Sequence, residues 1–286
     1  MKYIVNDFTI YYEKHGNTDK NILILPGWGD NRKTFDYLIS LLERDYSVYI
    51  LDYPGFGKSS FPKRNLYISD YSFLIKEFIK DKKINNPTII AHSFGGRIVI
   101  DLFKNDNNLD ISNLILIDIA GIKPKKTLFK KIKEKIYKLL KKIGKMLPKN
   151  IKNNYQESLI KIFGSSDYFK LNPNIRKTFI NIVNHDQKDD IKYINADTLI
   201  IWGELDKDVS LKDGYFINKM IKNSGLVVIP KSGHFPYLDR AYYVNRVIFE
   251  YLKRSQWLLF LWINCIIYCC TWFYGDNATT HICYRT

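Results

Sequence analysis

The sequence predicts an α/β protein built on a mostly parallel, doubly wound sheet. Three observations carry that reading. Short, nearly all-apolar runs recur along the chain, as strands covered on both faces require. Amphipathic stretches fall between them, and strand alternating with helix is the pattern of a parallel sheet flanked by helices. Finally, each polar motif follows an apolar run, at the C-terminal strand ends where open parallel sheets hold ligands.

Taken in order, the strand candidates are "NILILPG" (21–27), "YSVYILDYPG" (46–55), "PTIIAHS" (87–93), "NLILIDIAG" (113–121), "DTLIIWGELD" (197–206) and "GLVVIPKSGH" (225–234). Helical patterns lie near 32–44, 68–81, 95–104, 211–222 and 241–254; in the last, Val244, Val247, Ile248 and Tyr251 recur at steps of three and four. The rhythm breaks once, between "DIAG" and "NADTLIIWG". A stretch that long should have its own structure. Leu128, Ile132, Ile136, Leu139, Leu140, Ile143 and Leu147 recur there at helical spacing, so residues 122–190 are expected to form an inserted helical cap. Residues 1–121 and 191–254 would form the core.

Composition narrows the class. The chain has 286 residues, 46% of them hydrophobic, enough for a large core and too apolar for a disordered protein. The first sixteen residues, "MKYIVNDFTIYYEKHG", lack the apolar run and small-residue cleavage site of a secretion signal, so a cytoplasmic location is expected. All four cysteines lie after Ser255, at Cys265, Cys269, Cys270 and Cys283, which excludes a disulfide framework for the body. Their spacing also lacks a CxxC pair, so zinc is not expected.

Two regions stand apart. Residues 121–155 hold thirteen lysines against one glutamate within a formal net charge of +15. That face reads either as a solvated helix or as a surface for anionic lipid or acidic substrates. It lacks the aromatic groups of a nucleic-acid interface, so no nucleic-acid partner is expected. Residues 255–286 change abruptly in character: they contain no lysine, and "WLLFLWINCIIYCCTWFY" (257–274) is uncharged. As a helix this run would reach about 27 Å, just spanning a bilayer core. It reads either as an extension past the natural end of the fold or as a C-terminal membrane anchor. The oligomeric state is not legible.

The chemistry centres on "AHSFGG", Ala91 to Gly96. A strand ends at Ser93 and two glycines open a helix, the pattern of a nucleophile elbow with Ala91 in place of the first glycine. Such a turn lifts the hydroxyl out of the sheet and points a helix N-terminus at the site. A serine needs a base, and the base needs an orienting acid. Asp206, in "WGELDKD", and His234, in "KSGHFPY", each follow a strand, and the order Ser–Asp–His suits the fold. Asp118, also at a strand end, is a rival acid. His92 is expected to point away from the corner, and His15 and His185 to lie at the surface. The backbone N–H groups of Phe94 and Trp28, with Gly29 in reserve, are candidates for an oxyanion hole.

With "LPGWGD", "DYPGFGKS", "AHSFGG", "LIIWGELD" and "GHFPYLD" in this order, the chain resembles the α/β-hydrolase superfamily in its cap-bearing, serine-nucleophile branch. The departures are Pro26, where histidine is common, and Ala91; neither touches Ser93, Asp206 or His234. The resemblance implies acyl transfer from an ester or related bond on a small apolar acyl substrate, with no metal and no organic cofactor. A carbon–carbon bond hydrolase, or a ligand-binding protein that keeps the fold without turnover, are the alternatives. Two other motifs fail on inspection. "GKS" (57–59) lacks the entry glycine of a P-loop, since position 52 is Asp52, and "GWGDNR" has Arg32 where a dinucleotide motif needs its third glycine.

Overall fold

The computed structural model describes residues 1–30, 32–106, 109–123 and 172–253, with scattered positions between 136 and 158. Strands β1 (Lys2–Val5), β2 (Phe8–His15), β3 (Asn21–Leu25), β4 (Ser47–Leu51), β5 (Thr88–His92), β6 (Asn113–Ile117), β7 (Asp197–Gly203) and β8 (Ser224–Ile229) form one sheet. Their order is β1-β2-β4-β3-β5-β6-β7-β8. From β4 onward every pair is parallel, with β5 at the centre. The doubly wound, mostly parallel sheet expected from the sequence is present.

The sequence pattern did not supply β1 and β2. They form an antiparallel hairpin, and β2 then pairs antiparallel with β4. The hairpin turns at Asn6, whose φ of 50° lies in the left-handed region that asparagine tolerates. Phe8, Ile10 and Tyr12 alternate inward along β2, the mark of a strand with one covered face.

The helices are α1 (Asp36–Leu42), preceded by a 3-10 turn (Arg32–Phe35), α2 (Ile68–Asp81), α3 (Phe94–Asn105), α4 (Arg176–Asn184), α5 (Leu211–Met220), α6 (Pro236–Asp239) and α7 (Ala241–Lys253). They cover both faces of the sheet. Because side chains alternate along a strand, Leu23 and Leu25 enter the layer beneath α2, α3 and α5, while Ile22 and Ile24 enter the layer beneath α1 and α7. All four are sealed from solvent. Each such side chain contributes roughly 1.5–3 kcal/mol when taken out of water. This explains why the strands read as continuous apolar runs rather than alternating ones.

Most of the stretch expected as a cap, including Leu128, Ile132 and Leu147, lies outside the described residues, as does the whole tail 255–286. The described end of that stretch is a 3-10 turn (Pro173–Ile175) running into α4. Its Thr178 hydroxyl accepts the Leu66 N–H, which ties α4 to the loop before α2. Among the described residues, no helix is long and apolar enough to cross a membrane.

Candidate active site

The site forms at the C-terminal ends of β5, β7 and β8. Ser93 follows β5 directly and takes φ 48°, ψ −106°, a strained conformation for a residue with a side chain. Three bonds hold it there: its N–H donates to the Ile117 carbonyl at 3.1 Å, and its carbonyl accepts from Gly96 at 3.1 Å and Ala120 at 2.9 Å. The glycines are needed for space. A Cβ on Gly95 would run into the Leu25 backbone, and one on Gly96 into Ile119. On the opposing loop, a Cβ on Gly27 would lie 2.9 Å from the His92 ring.

The structure brings together all three side chains singled out in the sequence. His234 Nε2 lies 3.0 Å from the Ser93 hydroxyl oxygen, and its Nδ1 lies 2.8 Å from Asp206 Oδ2. A carboxylate only accepts, so Nδ1 carries the proton and Nε2 is free to accept from the serine. The other Asp206 oxygen accepts the N–H groups of Asp208 at 2.7 Å and Val209 at 3.1 Å. Burial alone would push the Asp206 pKa up, but the hydrogen bond and charge of His234, with the Val209 N–H, outweigh it and hold it below the ordinary value.

Asp118 is different. It ends β6 at φ 42° and is sealed from solvent. Its Oδ1 accepts the Gly203 N–H at 2.9 Å, and its carboxyl group shares a hydrogen bond with the neighbouring Asp206 carboxylate. Burial raises its pKa to about 10, and the neighbouring Asp206 adds to that despite the Gly203 bond. It is therefore a neutral acid at ordinary pH, and it stands behind Asp206 rather than against the imidazole. Asp118, Asp206 and His234 are the described residues whose ligand atoms cluster as a metal site would, within 4.8 Å. The donor set does not suit a cation, because imidazole and carboxylate already bind each other and the third group is protonated.

His92 departs from expectation in part. Its side chain does leave the serine, but it is buried and supports the site. Its Nε2 donates to the backbone carbonyl of His234 at 2.8 Å. Burial lowers its pKa, which keeps it neutral. Tyr237 lies beside it, donating to Asp30 at 3.0 Å with its oxygen 3.4 Å from His92 Nδ1. Nothing in the sequence linked positions 92 and 234 except their shared strand-end placement. His15 and His185 are half-buried rather than fully at the surface.

Trp28 and Phe94 meet edge to face, with ring centroids 5.0 Å apart, beside Ser93. The Phe94 N–H opens α3, where the first N–H groups of a helix have no intrahelical partner. Neither it nor the Trp28 N–H donates to a backbone acceptor among the described residues. Both residues line a cavity of about 1010 Å³ that Ser93 and His234 also line. That is at the upper end of the range for small-molecule sites. Its apolar lining includes Phe56, Ile175, Phe179 and Val183, beside charged residues such as Arg97 and Lys123.

Residues 20–132 match the family described as alpha/beta hydrolase fold. An esterase from Exiguobacterium antarcticum superposes over 86% of this chain and 96% of its own, with a TM-score of 0.68 at 23% identity. The chain has the α/β-hydrolase fold, and residues 20–132 carry the sequence pattern of that family. Among curated proteins similar to this chain, an uncharacterized hydrolase of Bacillus subtilis, YugF, is 26% identical over 271 residues, covering 88% of this chain and 97% of the relative. The pimeloyl-[acyl-carrier protein] methyl ester esterase of Wigglesworthia glossinidia brevipalpis is 26% identical over 270 residues, covering 84% and 96%.

Proposed function

We propose that this α/β-hydrolase cleaves a carboxylic ester or related acyl bond through an acyl-enzyme on Ser93. The observation that carries the reading is the unbroken chain Ser93–His234–Asp206, with both links at hydrogen-bond length. His234 takes the serine proton as the hydroxyl oxygen attacks the carbonyl. Asp206, ionised and fixed by two backbone N–H groups, holds the imidazole in the needed tautomer and stabilises its charged form. The tetrahedral oxyanion rests on the N–H groups of Phe94 and Trp28. His234 then gives its proton to the leaving alcohol, and a water activated by the same imidazole releases the acid. The apolar cavity walls suit a hydrophobic acyl chain, and the segment 122–190 would cover it as a cap. That a full-length relative is named a methyl ester esterase is consistent with ester chemistry.

The test is covalent labelling with a fluorophosphonate, located by peptide mass spectrometry, together with a panel of 4-nitrophenyl esters. The parent protein should label on Ser93 and hydrolyse esters. Ser93→Ala should keep its far-ultraviolet circular dichroism and lose both. Undiminished turnover in a folded Ser93→Ala protein would end the proposal.

A further inference from the structure

Arg97 is a polar residue of α3 that the proposed chemistry does not use. It lies four residues beyond Ser93, about 6 Å along the helix axis, and lines the same cavity. It is only 6% exposed. Its Nη1 donates to the His185 carbonyl at 2.7 Å and to Gln187 Oε1 at 3.3 Å, and Gln187 Nε2 returns a bond to the Arg97 carbonyl at 2.9 Å. Those contacts fix the guanidinium in place and spend one of its nitrogens. Nε and Nη2 donate to no acceptor among the described residues, and no described carboxylate forms an ion pair with it. Neither atom is among the sealed, unsatisfied polar atoms of the described residues, so both keep some exposure, and the residue lines the cavity.

A buried cation without an ion pair is costly unless something completes it, and the nearby charge of Asp186 offsets only part of that cost for Arg97. Burial lowers the Arg97 pKa to about 10, which leaves it charged at neutral pH. Lys123 lines the same cavity and turns its ammonium to the Asn184 carbonyl at 3.1 Å, which adds a second positive charge. The carboxylates that line the cavity lie elsewhere in it: Asp30 accepts from Tyr237, and Asp208 is exposed, with its N–H on Asp206. An Nε and Nη2 pair is a planar fork that matches the two oxygens of a carboxylate.

We propose that the acyl chain bound here ends in a carboxylate, which Arg97 receives through Nε and Nη2 while the ester carbonyl sits at Ser93. The substrate class is then a half-ester of a dicarboxylic acid. The middle of the chain crosses the apolar walls at Trp28, Phe94 and Phe179. The inference rests on the proposed acyl-transfer reading for its reactive end; the carboxylate site itself does not.

The experiment compares the 4-nitrophenyl half-ester of glutaric acid with 4-nitrophenyl pentanoate, which has the same chain length without the charge. In the parent protein kcat/KM should favour the half-ester. In Arg97→Gln the ratio of the two should fall roughly tenfold to a hundredfold, the scale of a lost charge-assisted hydrogen bond, with the loss in KM. Because Arg97 also holds the His185 carbonyl, a second measurement uses the parent and Ser93→Ala proteins. Glutarate should bind both in calorimetry, and pentanamide should not. Glutarate binding with no ester turnover would sink the acyl-transfer reading and leave the carboxylate site standing. Equal kcat/KM for the two esters together with no glutarate binding would overturn the carboxylate site and leave acyl transfer standing.

Discussion

Two carboxylates end neighbouring strands on the same rim, and they behave in opposite ways. Asp118, after β6, has one backbone donor and faces the Asp206 carboxylate, so burial and that neighbour keep it protonated. Asp206, after β7, has two backbone donors on one oxygen and an imidazole on the other, so it stays ionised though its side chain is equally shut off from water. What separates them most is the imidazole of His234, which stands on Asp206 and not on Asp118, with the Val209 N–H adding to it.

The sharpest way to break this contrast is to remove the ionised member. Asp206→Ala should lower kcat for ester hydrolysis about 10⁴-fold, since an unheld imidazole adopts the wrong tautomer or turns away. If Asp118 were an equivalent acid, the fall would be far smaller. Steady-state kinetics on the two single variants and on the double variant with Asp118→Asn decide it.

The next effect is on stability. The Asp118 pKa is about 10 in the fold, against about 4 in an unfolded chain. Between those values the folded protein holds a proton that the unfolded chain has released, so the contribution of Asp118 is full below pH 4 and falls as pH rises. The slope reaches about 1.4 kcal/mol per pH unit. An asparagine does not titrate. The urea midpoint of Asp118→Asn should therefore gain on the parent steadily from pH 5 to pH 9. Parallel curves would mean that Asp118 is ionised in the folded protein.

The smallest effect has the opposite sign. The Asp206 pKa is depressed, so its contribution is present above the ordinary carboxylate value and is lost as pH falls through the lower, folded value. Asp206→Asn should be less stable than the parent near neutral pH by about 1.5–3 kcal/mol, the scale of a charge-assisted hydrogen bond. That gap should close on acidification. A gap that is unchanged at pH 2 would place the loss in packing rather than charge.

Much of this was legible in the sequence. Continuous apolar runs gave the parallel strands, because both faces of the sheet are covered. The small residues after Ser93 gave the corner, because Leu25 and Ile119 press on that turn. Ser93, Asp206 and His234 could be named because each follows a strand on the same rim. The choice between Asp118 and Asp206 required knowing which of the two strand ends meets the His234 ring, and that depends on the turns after β7 and β8. The β1–β2 hairpin was missed, although the inward alternation of Phe8, Ile10 and Tyr12 and the Asn6–Asp7 turn are signals in plain view. The roles of His92 and Arg97 were hidden for a different reason. Their partners, His234 and His185, lie 142 and 88 positions away, and no local pattern encodes such contacts.

The absence of side chains at Gly95 and Gly96 lets α3 seat directly on its neighbours, with Leu25 below one position and Ile119 below the other. A joint so crowded has no slack to loosen while the rest of the molecule stays intact. On heating, the capacity to form a labelled serine and the far-ultraviolet signature should therefore vanish in one transition rather than two.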